Sequence, residues 1–533
     1  MNRRTLLLAA LALPAAIPVI ASLTSLLDPL SPHWPHLFDA VLPRVLLNTA
    51  LLLVVVVVLA ALLGTGLAWL TARYAFPGRR WLHVALLMPL AMPGYVLGFV
   101  AIAGLDYSGP LQTALRTLTG TDAALWQIRS RWGAALVLAL TLYPYVYLVA
   151  GNAFRSISAS TLEMAASLGR TAIFRSVALP MALPWITAAL LLVAMETLAD
   201  FGTVALFNVE TFTTAIYKSW FGLFSIELAL QLASILVLVA LALSAAHTRS
   251  AGRGSMVQQG PPLPRISPQR PWRLTLLIGS FALLVVGVPL AVLLGWSIQH
   301  LAVELDPRYL RWLFNSLSLA LSAGLALTAM ALLLAYLGRG DRSRLNSSLA
   351  RIATIGYALP GALIAVGLFA PISVLESLLG GWIRPGWATQ GFVVLLLGYA
   401  ARFLAVAHTP VAQQLRRISP SIDESARLQG VRGGRLLHQV HVPLVSSAVA
   451  TAAALVVIDV IKEMPITLMT RPFGWDTLAT RVFELTAEGE YERAALPALS
   501  IVIAGLLPVI LILRRGERGR EHLKTRSALA HAA

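Results

Sequence analysis

A chain of 533 residues that is 58% hydrophobic and only 12% charged, with a mean hydropathy of +0.77, falls far outside the composition of a soluble domain. The formal charge of +17 would suit nucleic acid, but in so apolar a chain the basic residues must first be placed relative to a bilayer. With no cysteine there is no disulfide framework, no thiolate metal site and no cysteine nucleophile.

Crossing about 30 Å of hydrocarbon takes roughly 20 mostly apolar residues. Twelve runs meet that length, near 5–27, 45–72, 81–105, 133–154, 181–200, 222–247, 274–297, 313–337, 352–375, 390–409, 444–463 and 495–513. The first, MNRRTLLLAALALPAAIPVIAS, resembles a signal peptide in its basic start. Its apolar stretch of roughly 23 residues is longer than a usual signal core, so it is expected to stay as a span. With a cytoplasmic N-terminus, 28 of the 41 lysines and arginines fall in inside segments and 11 outside, with Arg402 and Lys462 in or at the edge of the membrane. This excess predicts that both termini are cytoplasmic. The net charge therefore reports orientation, and no nucleic-acid partner is expected.

The chain repeats itself. Arg44-Val-Leu-Leu-Asn48-Thr49 matches Arg311-Trp-Leu-Phe-Asn315-Ser316, and Met92-Pro93-Gly94 matches Leu359-Pro360-Gly361. In FRSISASTLEMAASLG and LRRISPSIDESARLQG, the residues Arg155, Ile157, Ser158, Ser160, Glu163, Ala165 and Gly169 each recur 261 positions later. Six spans per copy give both halves the same orientation, so an all-α polytopic membrane protein of two parallel six-helix repeats is expected. The Pro-, Gly- and Arg-rich stretch 249–270 reads as a cytoplasmic linker between a first repeat, 1–248, and a second, 271–533. The Pro-Gly pairs are expected to break or kink their helices.

Each copy carries a polar helix between apolar spans. Both contain S-x-x-E, Ser160 to Glu163 and Ser421 to Glu424, a capping-box pattern. The exposed surface is expected to carry Ala165, Ala166 and Gly169 in the first helix, Ala426 and Gly430 in the second, small residues that admit another backbone.

These words resemble a known family. Glu163-Met-Ala165-Ala166-Ser-Leu-Gly169 followed by Val177-Ala-Leu179-Pro180, and Glu424-Ser-Ala426-Arg-Leu-Gln-Gly430 followed by Val440-His-Val442-Pro443, are similar to the EAA loop of binding-protein-dependent ABC importer permeases. That resemblance implies a type I permease fold and coupling helices, at 160–180 and 421–443, that dock on a separate ATP-binding subunit, a homodimer. It also implies a periplasmic binding protein as partner and the bacterial inner membrane as location. The coupling residues it implies are Glu163, Ala165, Gly169, Glu424, Ala426 and Gly430. The second copy keeps the family's spacing of thirteen residues from glycine to proline, and the first has eleven. The phrases LADFGTVALFNVETFTTAIY and IKEMPITLMTRPFGWDTLATRVFEL resemble the fused ferric-iron type, to which thiamine permeases are related. An ion-coupled secondary transporter is the alternative from another class.

The chain is not expected to be an enzyme. Its lysines are Lys218, Lys462 and Lys524, and none follows a glycine as a phosphate-binding loop requires. No nucleophile–base pair, cofactor motif or metal-ligand spacing appears, and the isolated His83 and His408 are read as packed or interfacial. Four acids do stand in apolar surroundings. Glu196 and Asp200 lie four apart, which would place them on one helix face, and Asp459 and Glu463 recur 263 positions later. An ionised group at mid-bilayer costs about 2.5–3.5 kcal/mol. They therefore either line a pathway for a cationic substrate or pair with Lys462, Arg471 or backbone donors to hold the halves in register. Lys462 beside Glu463 tilts the second pair toward a salt bridge.

Overall fold

The computed structural model describes residues 2–167, 172–253, 265–339, 343–380 and 386–506. Among these residues the architecture is helical, and the one β-type contact is an isolated parallel bridge between Tyr74 and Ile266. Ten helices are long and apolar enough to cross a bilayer, and an eleventh span is broken in the middle. The chain is thus a multi-pass membrane protein. The twelfth expected run enters the described residues as helix 491–506, and the remainder of it lies outside them.

In the first half, α1 (Arg3–Thr24) and α2 (Leu42–Arg73) are continuous spans, whereas the third is split into α3 (Arg79–Ala85) and α4 (Gly94–Leu105). A 3-10 turn, Met88–Ala91, and Pro93 separate the two pieces, and the segments Arg79–Ala91 and Gly94–Thr119 meet at 97°. Proline removes an N–H and restricts the residue before it, so the helix stops there. Then come α5 (Arg131–Ser156), the short polar α6 (Ala159–Ser167), α7 (Leu179–Ala199), the short α8 (Gly202–Leu206) and α9 (Phe212–Phe221), and α10 (Ile226–Arg253). Helix α10 continues through Arg253. Beyond residue 264, Ile266 pairs with the backbone of Arg73 and Ala75.

The second half follows the same order. It has α11 (Pro271–Ala282) and α12 (Val288–Glu304) joined by a π-helical turn, α13 (Pro307–Gly338), α14 (Arg344–Ile355), α15 (Gly361–Leu378) and α16 (Phe392–Arg416). These are followed by the polar α17 (Pro420–Leu428), α18 (Val442–Ile461), α19 (Pro465–Thr470) and α20 (Leu478–Ala487). The expected ninth span is also two helices, because Pro360 and the 3-10 turn Gly356–Ala358 divide α14 from α15.

Side chains show why the repeated words recur. Asn48 Nδ2 donates to the Glu210 carbonyl at 3.1 Å, and Asn315 Nδ2 donates to the Asp476 carbonyl at 3.0 Å. The helix following each carbonyl starts with a threonine capping box, Thr211–Thr214 and Thr477–Thr480. A buried amide that satisfies a loop carbonyl removes an unpaired polar group from the apolar interior.

The halves interlock. Helix α1 packs against α14 and α15 of the second half, and α11 and α12 pack against α3 and α4 of the first. Thr275 Oγ1 donates to the Pro77 carbonyl at 2.9 Å, and Phe281 meets Tyr143 edge-on at 5.4 Å.

Candidate transport site

In each half, the chain after the polar helix enters a span through a π-helical turn, and that span ends at a central cavity. After α6 the turn is Phe174–Ala178 and the span is α7; after α17 the turn is Leu437–His441 and the span is α18. A span of about twenty residues is a rod of roughly 30 Å.

At the far ends of the two rods lies a cavity of ≈ 160 Å³ between the halves, with Glu196, Asp200, Asp459 and Glu463 all on its wall. The structure brings the four acids together but gives them different tasks. Helix α7 ends at Ala199 and Asp200 turns to extended backbone with ψ 132°, so Glu196 and Asp200 do not share a helix face as expected. The cause is local. Asp200 accepts from Thr203 Oγ1 at 2.9 Å and from the Val204 N–H at 3.0 Å, which satisfies the first turn of α8. Glu463 does the same for α19, accepting from the N–H groups of Ile466 (3.1 Å) and Thr467 (3.0 Å) and from Thr467 Oγ1 (3.0 Å).

Lys462 does pair with the second acidic pair, through Asp459 and not Glu463. Its Nζ lies 2.8 Å from Asp459 Oδ1, three residues back along the helix, because adjacent residues such as Lys462 and Glu463 point apart. Arg471 serves neither pair of acids and binds Asp476 and Glu484 instead. Glu196 is left without an ion pair among the described residues. It faces Tyr357, whose neighbour is Tyr145, so residues of both halves meet around this carboxylate. Arg402 lines the same space and donates to the Leu359 carbonyl at 3.2 Å.

The Pro-Gly breaks seat these parts. A Cβ on Gly94 would stand 2.5 Å from Thr203 Oγ1, and one on Gly361 would stand 2.9 Å from Pro465 Cγ and 3.1 Å from Glu463 Oε1. Only glycine lets the two broken spans approach the short helices so closely.

The polar helices are capped two residues earlier than the S-x-x-E pattern predicts. Ser158 Oγ accepts from the Thr161 N–H at 3.3 Å, and Ser419 Oγ accepts from the Ser421 N–H at 3.4 Å. In the second copy Pro420 occupies the first helical position and fixes the start there. Ala426 is buried, 7% exposed, whereas Leu428 is 90% exposed and Glu424 is exposed. The outer surface of α17 therefore presents a large apolar side chain where alanine was expected, and α6 likewise exposes Met164 at 63%. Of the first copy's expected coupling residues, Gly169 lies outside the described residues, and Glu163 and Ala165 are placed only as backbone of α6. Gly430 has φ +82° and Gly433 φ +58°, conformations that L side chains rarely adopt.

Residues 328–515 match the family described as binding-protein-dependent transport system inner membrane component. The chain is 27% identical over 521 residues to the Fe(3+)-transport system permease protein FbpB 2 of Haemophilus influenzae, covering 95% of this chain and 97% of that protein. It is 24% identical over 486 residues to a probable ABC transporter permease, y4fN, of Sinorhizobium fredii, covering 84% and 83%. It is also 32% identical over 181 residues to the molybdenum transport system permease ModB of Azotobacter vinelandii, 33% of this chain and 74% of ModB. The chain belongs to this permease family.

For the permease, the structure adds one group that the sequence did not single out. Asp423, on α17, is buried and bound at both oxygens, ion-paired to Arg339 Nε at 2.8 Å and hydrogen-bonded to His441 Nε2 at 2.8 Å. Arg339 also donates to the carbonyls of Leu415 (2.5 Å) and Ile418 (2.9 Å). Burial opposes ionisation of Asp423, but hydrogen bonds from Arg339 and His441 outweigh it and hold the carboxyl below the usual range. The three residues tie the polar helix to the end of α13 and to the π-turn leading into α18. The first copy has Leu162 where the second has Asp423, so the repeat itself gave no signal for this contact.

Two expected results follow from these positions. Asp200→Ala and Glu463→Ala each leave first-turn N–H groups unmet, at a cost of about 1–2 kcal/mol. Each should lower the thermal midpoint of the solubilised permease. A parent-like midpoint would show that these carboxylates do not hold α8 and α19. At Gly430 a Cβ meets nothing within 4 Å, so the defect of Gly430→Val arises from the backbone, at about 1–3 kcal/mol of strain. That variant should insert normally yet lose stimulation of a partner ATPase, whereas Gly430→Asn, which tolerates this region, should keep most of it.

Proposed function

We propose that the chain is the permease subunit of an ATP-driven importer that takes ferric iron from a periplasmic binding protein and releases it into the cytoplasm. On this reading 1–248 and 271–533 are its two homologous halves, both termini are cytoplasmic, and the bacterial inner membrane is its location. The helices at 160–180 and 421–443 each dock on one copy of a homodimeric ABC ATPase, with Glu163, Ala165, Gly169, Glu424, Ala426 and Gly430 as the coupling residues. The observation that supports this is that, in each half, the span next in the chain after the polar helix has the cavity acids at its far end. A tilt imposed on α6 or α17 is transmitted along α7 or α18 to Glu196 or Asp459.

The cargo reading rests on charge together with the long match to an Fe(3+) permease. Four carboxylates face the cavity against Lys462 and Arg402, and Glu196 is not committed to either cation. Such a wall favours a cation and disfavours an oxyanion such as molybdate. The oxyanion permeases match only about a third of the chain. Thiamine, also cationic, is the competing cargo.

The test is uptake of labelled ferric iron into proteoliposomes holding the permease, its ATPase and its binding protein. Uptake should stop with vanadate, persist when the proton gradient is collapsed, and be unaffected by excess thiamine. Vanadate-resistant uptake that collapses with the gradient would reverse the assignment to ATP-driven transport, and loss to thiamine would reverse the cargo.

A further inference from the structure

A second cavity, of ≈ 800 Å³, lies where the ends of α13 and α16 meet α14, α17 and the start of α1. Its charge is one-sided. Arg4, Arg339, Arg351, Arg416 and Arg427 line it against two carboxylates, Asp423 and Glu424. Asp423 is already taken by Arg339 and His441. Arg4 donates to the Leu337 and Arg339 carbonyls. Arg351, Arg416 and Arg427 make no ion pair with any described residue, Glu424 included. Three guanidinium groups from three different helices thus converge on one pocket without an anion.

Beside the arginines the wall has an apolar stretch, Leu334, Ala335, Ala412 and Leu415, next to the polar Asn346, Ser347, Thr354 and His408. Helix α14 lies along one side with Leu345 57% and Ile352 38% exposed. Because the pocket sits at the ends of two spans, it stands at the depth of lipid headgroups. We propose that this corner binds the phosphate of an anionic phospholipid, with Arg351, Arg416 and Arg427 on the headgroup and the apolar wall along the first part of an acyl chain. Basic pockets between spans take such headgroups, and each arginine near the surface contributes separately. A free phosphate ion would use the same guanidinium groups, but it has no use for the apolar wall. The bound lipid would join α1 of the first half to α13, α14, α16 and α17 of the second, beside the polar helix.

The test is native mass spectrometry of the full-length permease released from nanodiscs containing phosphatidylglycerol or only phosphatidylcholine. Retained phosphatidylglycerol is expected for the parent, with retention about a hundredfold weaker for R351Q/R416Q/R427Q and about fivefold weaker for R351Q alone. Arg417→Gln, exposed on the next residue but outside the pocket, should behave as the parent. The single variant decides the matter if the triple variant fails to insert. Equal retention by parent and variants, or equal retention of phosphatidylcholine, overturns the site. Displacement by millimolar inorganic phosphate would make it a soluble-anion site instead of a lipid site. Loss of the lipid whenever the ATPase subunit is bound would make the pocket a protein interface.

Discussion

Replacing Glu196 by Gln should cut uptake per assembled complex at least about tenfold while leaving assembly and basal ATPase turnover near those of the parent. The substitution keeps the shape and hydrogen-bonding capacity of the side chain and removes one charge from the cavity. Two unit charges 4 Å apart interact by about 4 kcal/mol at the effective dielectric of a partly wet site. A tenfold change needs only about 1.4 kcal/mol, so even strong screening leaves a measurable loss. Glu196 is the informative acid because, among the described residues, it supports no helix start and makes no salt bridge, so its removal leaves no cation unpaired. Tyr357→Phe, which takes the facing hydroxyl away, should give a smaller loss of the same kind. The double change Asp459→Asn with Glu463→Gln should instead lower abundance, because it removes the partner of Lys462 and weakens the start of α19. Parent-like uptake by the Glu196→Gln complex would remove this residue from the pathway.

Asp423→Ala should be the most damaging single change on the polar helices. Removing one member of a buried pair leaves an uncompensated charge and costs about 3–5 kcal/mol. The side chains of Asp423 and Arg339 are 12% and 16% exposed, so water offsets part of this and the low end applies. The expected result is a lower thermal midpoint together with loss of ATPase stimulation, because α17 is released from α13 and from the turn leading into α18. Asp423→Glu should recover part of both. The carboxyl titrates below its usual range in the fold, so its contribution is complete above the ordinary aspartate range and falls away only as pH drops through the folded value. The pair therefore stays charged throughout the neutral range and acts as a fixed tie. Unimpaired stimulation in Asp423→Ala would show that α17 is held by other contacts.

What the sequence determined by itself was everything set by period, length and repetition. Apolar run length gave the spans, because a bilayer demands a minimum stretch of apolar chain whatever its neighbours. Repetition picked out the polar helices, the Pro-Gly breaks and the two acidic pairs, because each half uses the same local chemistry at the same place. Tertiary structure alone decided what each charge does. Spacing of four put Glu196 and Asp200 on one face only if the helix continued, and it stopped because Asp200 found the free N–H groups of α8. Lys462 was adjacent to Glu463 in the chain but faced Asp459 in space. Ala426 turned inward and Leu428 outward because α17 packs on one side only. The Arg339–Asp423–His441 tie joins residues that are 84 and 18 positions apart. The cavity around Glu196 draws Tyr145 from one half and Tyr357 from the other. Contacts of that kind are set by how packed helices bring distant residues together, and no local pattern in the chain records them.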